Sequence, residues 1–240
     1  MSARLSRFPW ALTIVCGLAL VALVCLGVWQ TQRLFWKRGL MAEAEAAADR
    51  PPVSLYDLFD SGERPEFRRV TIRCPGLATA AYVELQSIEG GQAGVRLISA
   101  CPIEKHTGMA IPSVYLVDRG FVAEAVSSRP PVERSADPVE VVAVVREAPP
   151  PGPMALAPER RRFYARDVPT MARVLGVTAD VAPQTLFALN SSNPEWLALK
   201  PSAPPSTFSN NHLGYALTWF GLALAVVGFY IALLRRRPKS

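Results

Sequence analysis

The chain has 240 residues, 26 of them basic and 20 acidic, with a formal net charge of +6. This length allows one domain with a real core together with membrane segments. Nine basic residues flank two long apolar runs: Arg4, Arg7, Arg33, Lys37, Arg38, Arg235, Arg236, Arg237 and Lys239. The other 17 basic residues share the middle of the chain with all 20 acidic residues, a balance of −3. The basicity therefore marks membrane topology and argues against nucleic acid as a partner.

The first apolar run predicts an uncleaved membrane helix. Residues 10–29 carry no charge, and the run is longer than the apolar core of a typical signal peptide. The segment Trp29-Gln30-Thr31-Gln32 is a poor cleavage site, because such sites need small residues. We expect a cytoplasmic N-terminus at 1–9 and a transmembrane helix at 10–32, with the Ala/Glu-rich residues 39–48 continuing the helix.

The second apolar run lies at the far end of the chain. Residues 213–234 are uncharged, and the run has about the 20 residues that a helix needs to cross a hydrocarbon core. Asn210 and Asn211 can cap its first turn. We therefore predict a transmembrane helix with its cap at 209–234, followed by a basic tail at 235–240.

The charges around the second helix orient the chain. Basic residues crowd its C-terminal flank, so the tail is expected to be cytoplasmic, and with two spans the N-terminus is cytoplasmic as well. Residues 33–208 then form an exterior domain. Because no long Arg-rich presequence precedes the first helix, a bacterial inner membrane with a periplasmic domain is favoured.

The middle of the chain has the alternating pattern of strands. We predict strands at 68–73, 82–87, 95–100, 113–118, 121–124 and 139–146, with a last one at 186–189. Turn signals stand at Gly90-Gly91 and Asp118-Arg119-Gly120. Short helices are predicted at 54–59 and 167–175, where Ser54 and Asp167 can act as caps. The expected fold is a membrane protein of the α+β class, in which two helices flank an antiparallel sheet or small barrel.

Motifs of enzymatic chemistry are missing from the sequence. It contains no phosphate loop, dinucleotide-binding glycine pattern, zinc-protease helix or nucleophile elbow, so nothing supports an enzyme. Cys101, His106 and Met109 have the spacing of a blue-copper ligand loop, but no histidine precedes them to supply the second imidazole. An ordinary hairpin loop is the preferred interpretation. A disulfide between Cys74 and Cys101 is possible in an oxidising compartment, and the sequence leaves it open.

A polar stripe marks the start of the second helix. Tyr215 and Trp219 follow His212 at three and seven residues, so all three share one helix face. His212 is one of two histidines in the chain. It can act as a ligand, or it can simply bond to backbone or headgroups at the membrane edge. Arg33 likewise suits either an interfacial anchor or a contact with a carboxylate-bearing ligand.

Three motifs resemble the surfeit-locus protein 1 (Surf/Shy) family. The first is Leu26-Gly27-Val28-Trp29-Gln30 with Arg33 and Trp36-Lys37, and the second is Val114-Tyr115-Leu116-Val117-Asp118-Arg119-Gly120-Phe121-Val122, which is similar to a strand-turn-strand of that family. The third and strongest is Asn210-Asn211-His212-Leu213-Gly214-Tyr215-Ala216-Leu217-Thr218-Trp219-Phe220. The two-helix layout agrees as well, so the resemblance covers essentially the whole chain.

The resemblance implies an assembly factor for cytochrome c oxidase that is not an enzyme. Its expected partners are oxidase subunit I, the machinery that makes and inserts haem a, and the lipid bilayer. By resemblance, His212 is the candidate ligand of haem a iron. On physical grounds Arg33 can meet a propionate, and Tyr215 and Trp219 can line the pocket, although a role in packing or in the interfacial belt is the preferred interpretation for these two aromatics. The alternative is a scaffold that stabilises an oxidase intermediate without haem and depends on the region around Arg119 and Gly120.

Overall fold

The structure is a computed structural model that describes residues 10–104, 111–147, 150–203 and 210–236. The described residues form helices α1 (Trp10–Ala48), α2 (Leu55–Asp60), α3 (Val168–Val174) and α4 (His212–Arg235). They also form strands β1 (Val53–Ser54), β2 (Arg69–Pro75), β3 (Tyr82–Glu89), β4 (Gln92–Pro102), β5 (Val114–Ala123), β6 (Pro138–Glu147), β7 (Arg162–Phe163) and β8 (Val181–Ala188). The predicted two-helix, mostly β architecture is confirmed.

The two long helices, α1 and α4, belong to one unit of the chain. In the described part of the chain they are the two helices long and apolar enough to cross a membrane, which indicates membrane association. Helix α1 runs without a break to Ala48, so the predicted extension of the first helix is confirmed. Its residues up to Ala42 group with α4, and a second unit begins at Glu43 and contains the sheet.

The short helices begin at the predicted caps. The Ser54 hydroxyl accepts a hydrogen bond from the Tyr56 N–H at 3.2 Å, and the Asp167 carboxylate accepts one from the Thr170 N–H at 3.1 Å. These bonds satisfy helix N–H groups that otherwise lack partners. Asn211 is the cap residue of α4, but its side chain makes no capping hydrogen bond. The prediction of side-chain capping by Asn211 is therefore wrong.

The second unit is built on one eight-stranded sheet of described residues, in the order β1-β2-β6-β8-β5-β4-β3-β7. The long strands pair antiparallel as predicted, in the pairs β2–β6, β6–β8, β3–β4 and β4–β5. Three pairs are parallel, namely β1–β2, β5–β8 and β3–β7, so the sheet is mixed. The β5–β8 pair is parallel because β6 and α3 lie between them in the chain and carry it back to the same end of the sheet.

Apolar side chains cover both faces of the sheet. On one face, Leu55 and Leu58 of α2 pack with Tyr115 and Val117 of β5 in the larger buried cluster. On the other, Met171 of α3 packs against residues of β3, β4 and β5. Because β5 contributes to both clusters, its side chains are buried on either side along almost its whole length.

A disulfide joins Cys74 of β2 to Cys101 of β4, with 5.2 Å between the two Cα atoms. Three other strands separate β2 from β4 in the order of the sheet, so the sheet must curl to bring these residues together. Both cysteines are fully buried. With its sulfur bonded, Cys101 cannot supply a thiolate to copper. The disulfide therefore argues against a blue-copper site at this spacing. Cys16 and Cys25 of α1 are free.

The predicted turn at Asp118-Arg119-Gly120 is wrong. Strand β5 continues through these residues, and the register shifts so that Ile98 pairs with Asp118 and Leu97 with Gly120. Arg119 is thus the extra residue of a β-bulge. Gly120 has φ of +133°, and a Cβ there would overlap the backbone of Lys200. An Asp-x-Gly sequence serves a bulge as readily as a turn, since both use the backbone freedom of glycine.

Several sequence-based predictions fall outside the described residues. They concern the N-terminal Arg4 and Arg7, the loop residues His106 and Met109, and the C-terminal Arg237 and Lys239.

Candidate functional site: the paired apolar helices

Small side chains let α1 and α4 pack closely. Ala216 and Ala223 are the buried residues of α4 and lie seven residues apart, on one face of the helix. Gly27 is buried on α1, where a Cβ would come within 2.7 Å of the Phe220 ring. Small residues at such contacts are typical of helices that associate in membranes, where close packing replaces the hydrophobic effect.

A hydrogen bond links the helices at the start of α4. The Nδ1 atom of His212 lies 2.6 Å from the Oε1 atom of Gln30 on α1. The two residues are 182 positions apart in the sequence. Gln30 belongs to the first motif, but no role was predicted for it from the sequence. The sequence feature that could have indicated a role is the polar side chain itself, at the end of an apolar span. Polar side chains are costly in or beside a membrane and tend to be functional there.

A second hydrogen bond links the helices near the start of α1. The hydroxyls of Thr13 and Tyr230 lie 2.7 Å apart. Thr13, early in α1, contacts Tyr230, late in α4. Gln30, later in α1, contacts His212 at the start of α4, so the two helices are antiparallel. The pair is therefore held at both ends by polar side chains and in between by small ones.

The other predicted site residues take separate positions. Trp219 is half-buried, and its Nε1–H has no hydrogen-bond partner among the described residues. Tyr215 of α4 is 56% exposed. The Arg33 guanidinium lies 4.9 Å from the centre of the Trp36 ring on its own helix, a cation–π contact. The structure thus joins His212 to Gln30, while Arg33 is engaged by its neighbour Trp36.

In the second unit, Asp118 is the centre of a buried ionic network. Its carboxylate is fully buried and accepts hydrogen bonds from Arg96 at 2.8 Å and from Arg166 at 2.6 Å. Arg96 also contacts Glu89 at 2.9 Å and donates to the carbonyl oxygen of Ser202 at 2.6 Å. Two guanidinium groups thus neutralise one carboxylate, and a second carboxylate offsets the excess charge.

Arg119 is fully buried without such a carboxylate. Its guanidinium donates to the Ser192 hydroxyl and to the carbonyl oxygen of Ala78, each at 2.8 Å. Burial lowers the pKa of Arg119 to about 10, a shift that the nearby Tyr82 partly offsets. The guanidinium therefore joins three separate segments of the domain through neutral acceptors, which is a structural role.

The segment that precedes α4 is attached to the bulge. The N–H of Phe121 donates to the carbonyl oxygen of Lys200 at 2.8 Å, and the N–H of Lys200 donates back at 2.9 Å. Together with the bond from Arg96 to Ser202, this pairing secures residues 200–202 to β5 and β4. The predicted motif around Asp118 and Gly120 is thus a binding surface for the chain's own backbone.

Metal chemistry outside the helix pair finds no support in the described residues. They contain no cluster of three or more histidine, cysteine, aspartate or glutamate side chains that could hold a metal ion. The buried ionic groups around Asp118 in the second unit bind one another and the chain's own backbone. The helix pair with His212 is therefore the best candidate for a ligand site.

These features define a membrane-associated protein in which two apolar terminal helices flank one mostly β domain. Comparison with known proteins identifies the group. The sequence model of the SURF1 family matches residues 17–224, and the chain belongs to this family. The family is known for assembly factors of cytochrome c oxidase.

Curated relatives are similar over most of the chain. Surfeit locus protein 1 of Xenopus tropicalis is 29% identical over 231 residues, covering 85% of this chain and 70% of that protein. The human protein of the same name is 27% identical over 225 residues, covering 83% of this chain and 70% of its own. A SURF1-like protein of Monosiga brevicollis is 27% identical over 244 residues, with 88% and 83% covered.

Proposed function

We propose that this protein is an assembly factor for cytochrome c oxidase that binds haem a as cargo at its helix pair and delivers it to subunit I. It works with the machinery that makes and inserts haem a. Its place is a bacterial inner membrane, with both termini cytoplasmic and the β domain periplasmic. Family membership supports the oxidase role, and the environment of His212 supports haem binding.

The observation that carries the haem proposal is the position of His212. One nitrogen of its ring is engaged by Gln30, which leaves the other nitrogen as a donor atom. Neutral imidazole is a common axial ligand of haem iron. A donor at the edge of an apolar helix pair suits a haem with a long hydrocarbon tail, because the tail prefers the membrane and the polar edge prefers water.

Three further side chains fit such a cargo. The unpartnered Nε1–H of Trp219 is a buried donor, and a polar group of the ligand would satisfy it. The positive charge of Arg33 can attract a propionate, at the cost of part of its contact with Trp36. Tyr215 is exposed on α4 and can shield the ligand from lipid or water. Bound haem a supplies only its iron centre and its peripheral polar groups; the chain's residues hold and orient it.

The test is the absorption spectrum of full-length protein purified from a host that makes haem a. We expect the haem a spectrum in the wild type and its loss or shift in His212→Ala. His106→Ala is the matched control, because it removes the chain's other histidine and should leave the spectrum unchanged. Absence of haem a from the wild type under good supply would overturn haem binding and favour the haem-independent scaffold.

A further inference from the structure

We propose that Gln30 is a positioning residue that holds His212 in the tautomer able to bind metal. This inference rests on the proposed haem function and names a residue that the function does not yet include. The observation behind it is the 2.6 Å contact between Gln30 Oε1 and His212 Nδ1. Its donor and acceptor can be assigned from the chemistry of the two groups.

The amide oxygen of Gln30 is only an acceptor. A contact of 2.6 Å with this oxygen therefore requires that His212 Nδ1 carries a hydrogen and donates it. In a neutral imidazole with a hydrogen on Nδ1, the lone pair is on Nε2. Nε2 is thus the atom left free to bind iron. A histidine that binds metal through one nitrogen commonly donates a hydrogen bond from the other, which fixes its tautomer and its ring plane.

Helix contacts around Gln30 and His212 restrict the positions of these two side chains. Gly27 lies three residues before Gln30 and meets the ring of Phe220, while Ala216 lies four residues after His212 and is buried. Residues three or four apart share a helix face. The helices therefore pack closely about one turn from the hydrogen bond, which limits the freedom of both side chains.

A second hydrogen bond between the same helices serves as a control, because it can show what loss of a purely structural link does. Thr13 and Tyr230 also join α1 to α4, at a similar length of 2.7 Å. If Gln30 only tied the helices, removing either bond should have similar consequences. If Gln30 sets the tautomer, only its removal should change the imidazole.

The first experiment measures the tautomer without haem. Full-length protein with ¹⁵N-labelled histidine rings is placed in lipid nanodiscs, and long-range ¹H–¹⁵N spectra report which ring nitrogen carries the hydrogen. His212→Ala identifies the signals of His212 against those of His106. We expect an Nδ1–H form in the wild type and in Gln30→Glu, which keeps an acceptor. We expect the Nε2–H form to become populated in Gln30→Leu.

The second experiment titrates the same proteins with ferric haem a and follows the absorption spectrum. Gln30→Leu should weaken binding by about tenfold or more, the usual effect of losing a group that orients a metal ligand. Gln30→Glu should restore most of the affinity. Two variants should match the wild type: Gln32→Leu, which changes an exposed glutamine on the same helix, and Tyr230→Phe, which breaks the cross-helix bond to Thr13.

The proposal is overturned if Gln30→Leu keeps the wild-type tautomer, if it changes the tautomer without weakening haem a binding, or if Tyr230→Phe has the same effects. The proposed function fails separately. If the wild type binds no haem a, haem carriage is wrong, and the tautomer measurement still decides whether Gln30 controls His212. If His212→Ala loses haem a while Gln30→Leu behaves as wild type, haem carriage stands and the role of Gln30 is lost.

Discussion

Replacing Asp118 by asparagine removes the charge at the centre of the buried ionic network while keeping its size and shape. Asp118 is fully buried, and two guanidinium groups, from Arg96 and Arg166, donate to the same oxygen at 2.8 and 2.6 Å. The substitution leaves both cations without this counter-charge. Because charges left unpaired in a protein interior are costly, the domain should lose stability.

The size of the loss in stability depends on which contacts Arg96 and Arg166 keep after the substitution. Breaking a buried ion pair typically costs about 3–5 kcal/mol. Arg96 keeps Glu89 at 2.9 Å and the backbone of Ser202, and the side chain of Arg166 is 12% exposed, so it regains some water. We therefore expect the lower end of the range, a loss of about 3 kcal/mol in the free energy of unfolding.

The assay is a urea titration of the full-length protein in detergent, read by brief proteolysis so that the apolar helices need not unfold. Asp60→Asn is the control, because Asp60 is exposed at the end of α2 and should change stability by no more than about 0.5 kcal/mol. Adding Arg166→Met to Asp118→Asn should cost less than Arg166→Met alone, since the arginine has then lost its partner. A loss for Asp118→Asn no larger than the control's would refute the reasoning.

Other predictions use the same preparations. Cys74→Ala with Cys101→Ala should lower the free energy of unfolding by about 3.6 kcal/mol on a loop-entropy scale, given a separation of 27 residues; a loss below about 1 kcal/mol would contradict a structural bond. Gly27→Ala should weaken haem a binding about tenfold, or 1.4 kcal/mol, because its Cβ would overlap a ring of α4. At Gly17 an added Cβ has open space, so Gly17→Ala should leave haem a binding unchanged. Equal dissociation constants for the two variants would contradict the packing argument. Burial raises the pKa of Tyr115 above its ordinary 10.0, so the unfolded chain loses this proton first and stability falls as the pH rises through 10. Tyr115→Phe should make that fall smaller, while Tyr56 and Tyr82, whose pKa values burial also raises, account for the rest; parallel curves for the two proteins would show that the Tyr115 phenol is not responsible.

Local chemistry made several elements predictable from the sequence. Ser54 and Asp167 were recognised as caps because their oxygens accept N–H bonds within three residues, and both bonds are present. The apolar helices were evident from uninterrupted hydrophobic runs. Strands were recognised by alternation, although β8 begins at Val181, five residues before the predicted start.

Features that depend on distant partners were not predictable. Strand β5 continues through Asp118 with partners far away in the sequence: Asp118 accepts hydrogen bonds from Arg96 and Arg166, the latter 48 residues away, so the local sequence could not distinguish a bulge from a turn. Likewise, the hydrogen-bond partner of Gln30 is a histidine 182 residues later, which no local pattern indicates. Of the candidate site, the sequence indicated the candidate ligand histidine, His212, but not the side chain that we propose orients it, Gln30.

The bond between Cys74 and Cys101 also has a consequence for the biosynthesis of the chain. Thiols are kept reduced in the cytosol, whereas extracytoplasmic spaces permit their oxidation. Both sulfurs are inaccessible once the sheet has closed around them, so oxidation has to precede or accompany the completion of folding. A copy retained on the reducing side would carry two enclosed thiols instead. The oxidation state of this one pair thus reports on which face of the bilayer the domain matured.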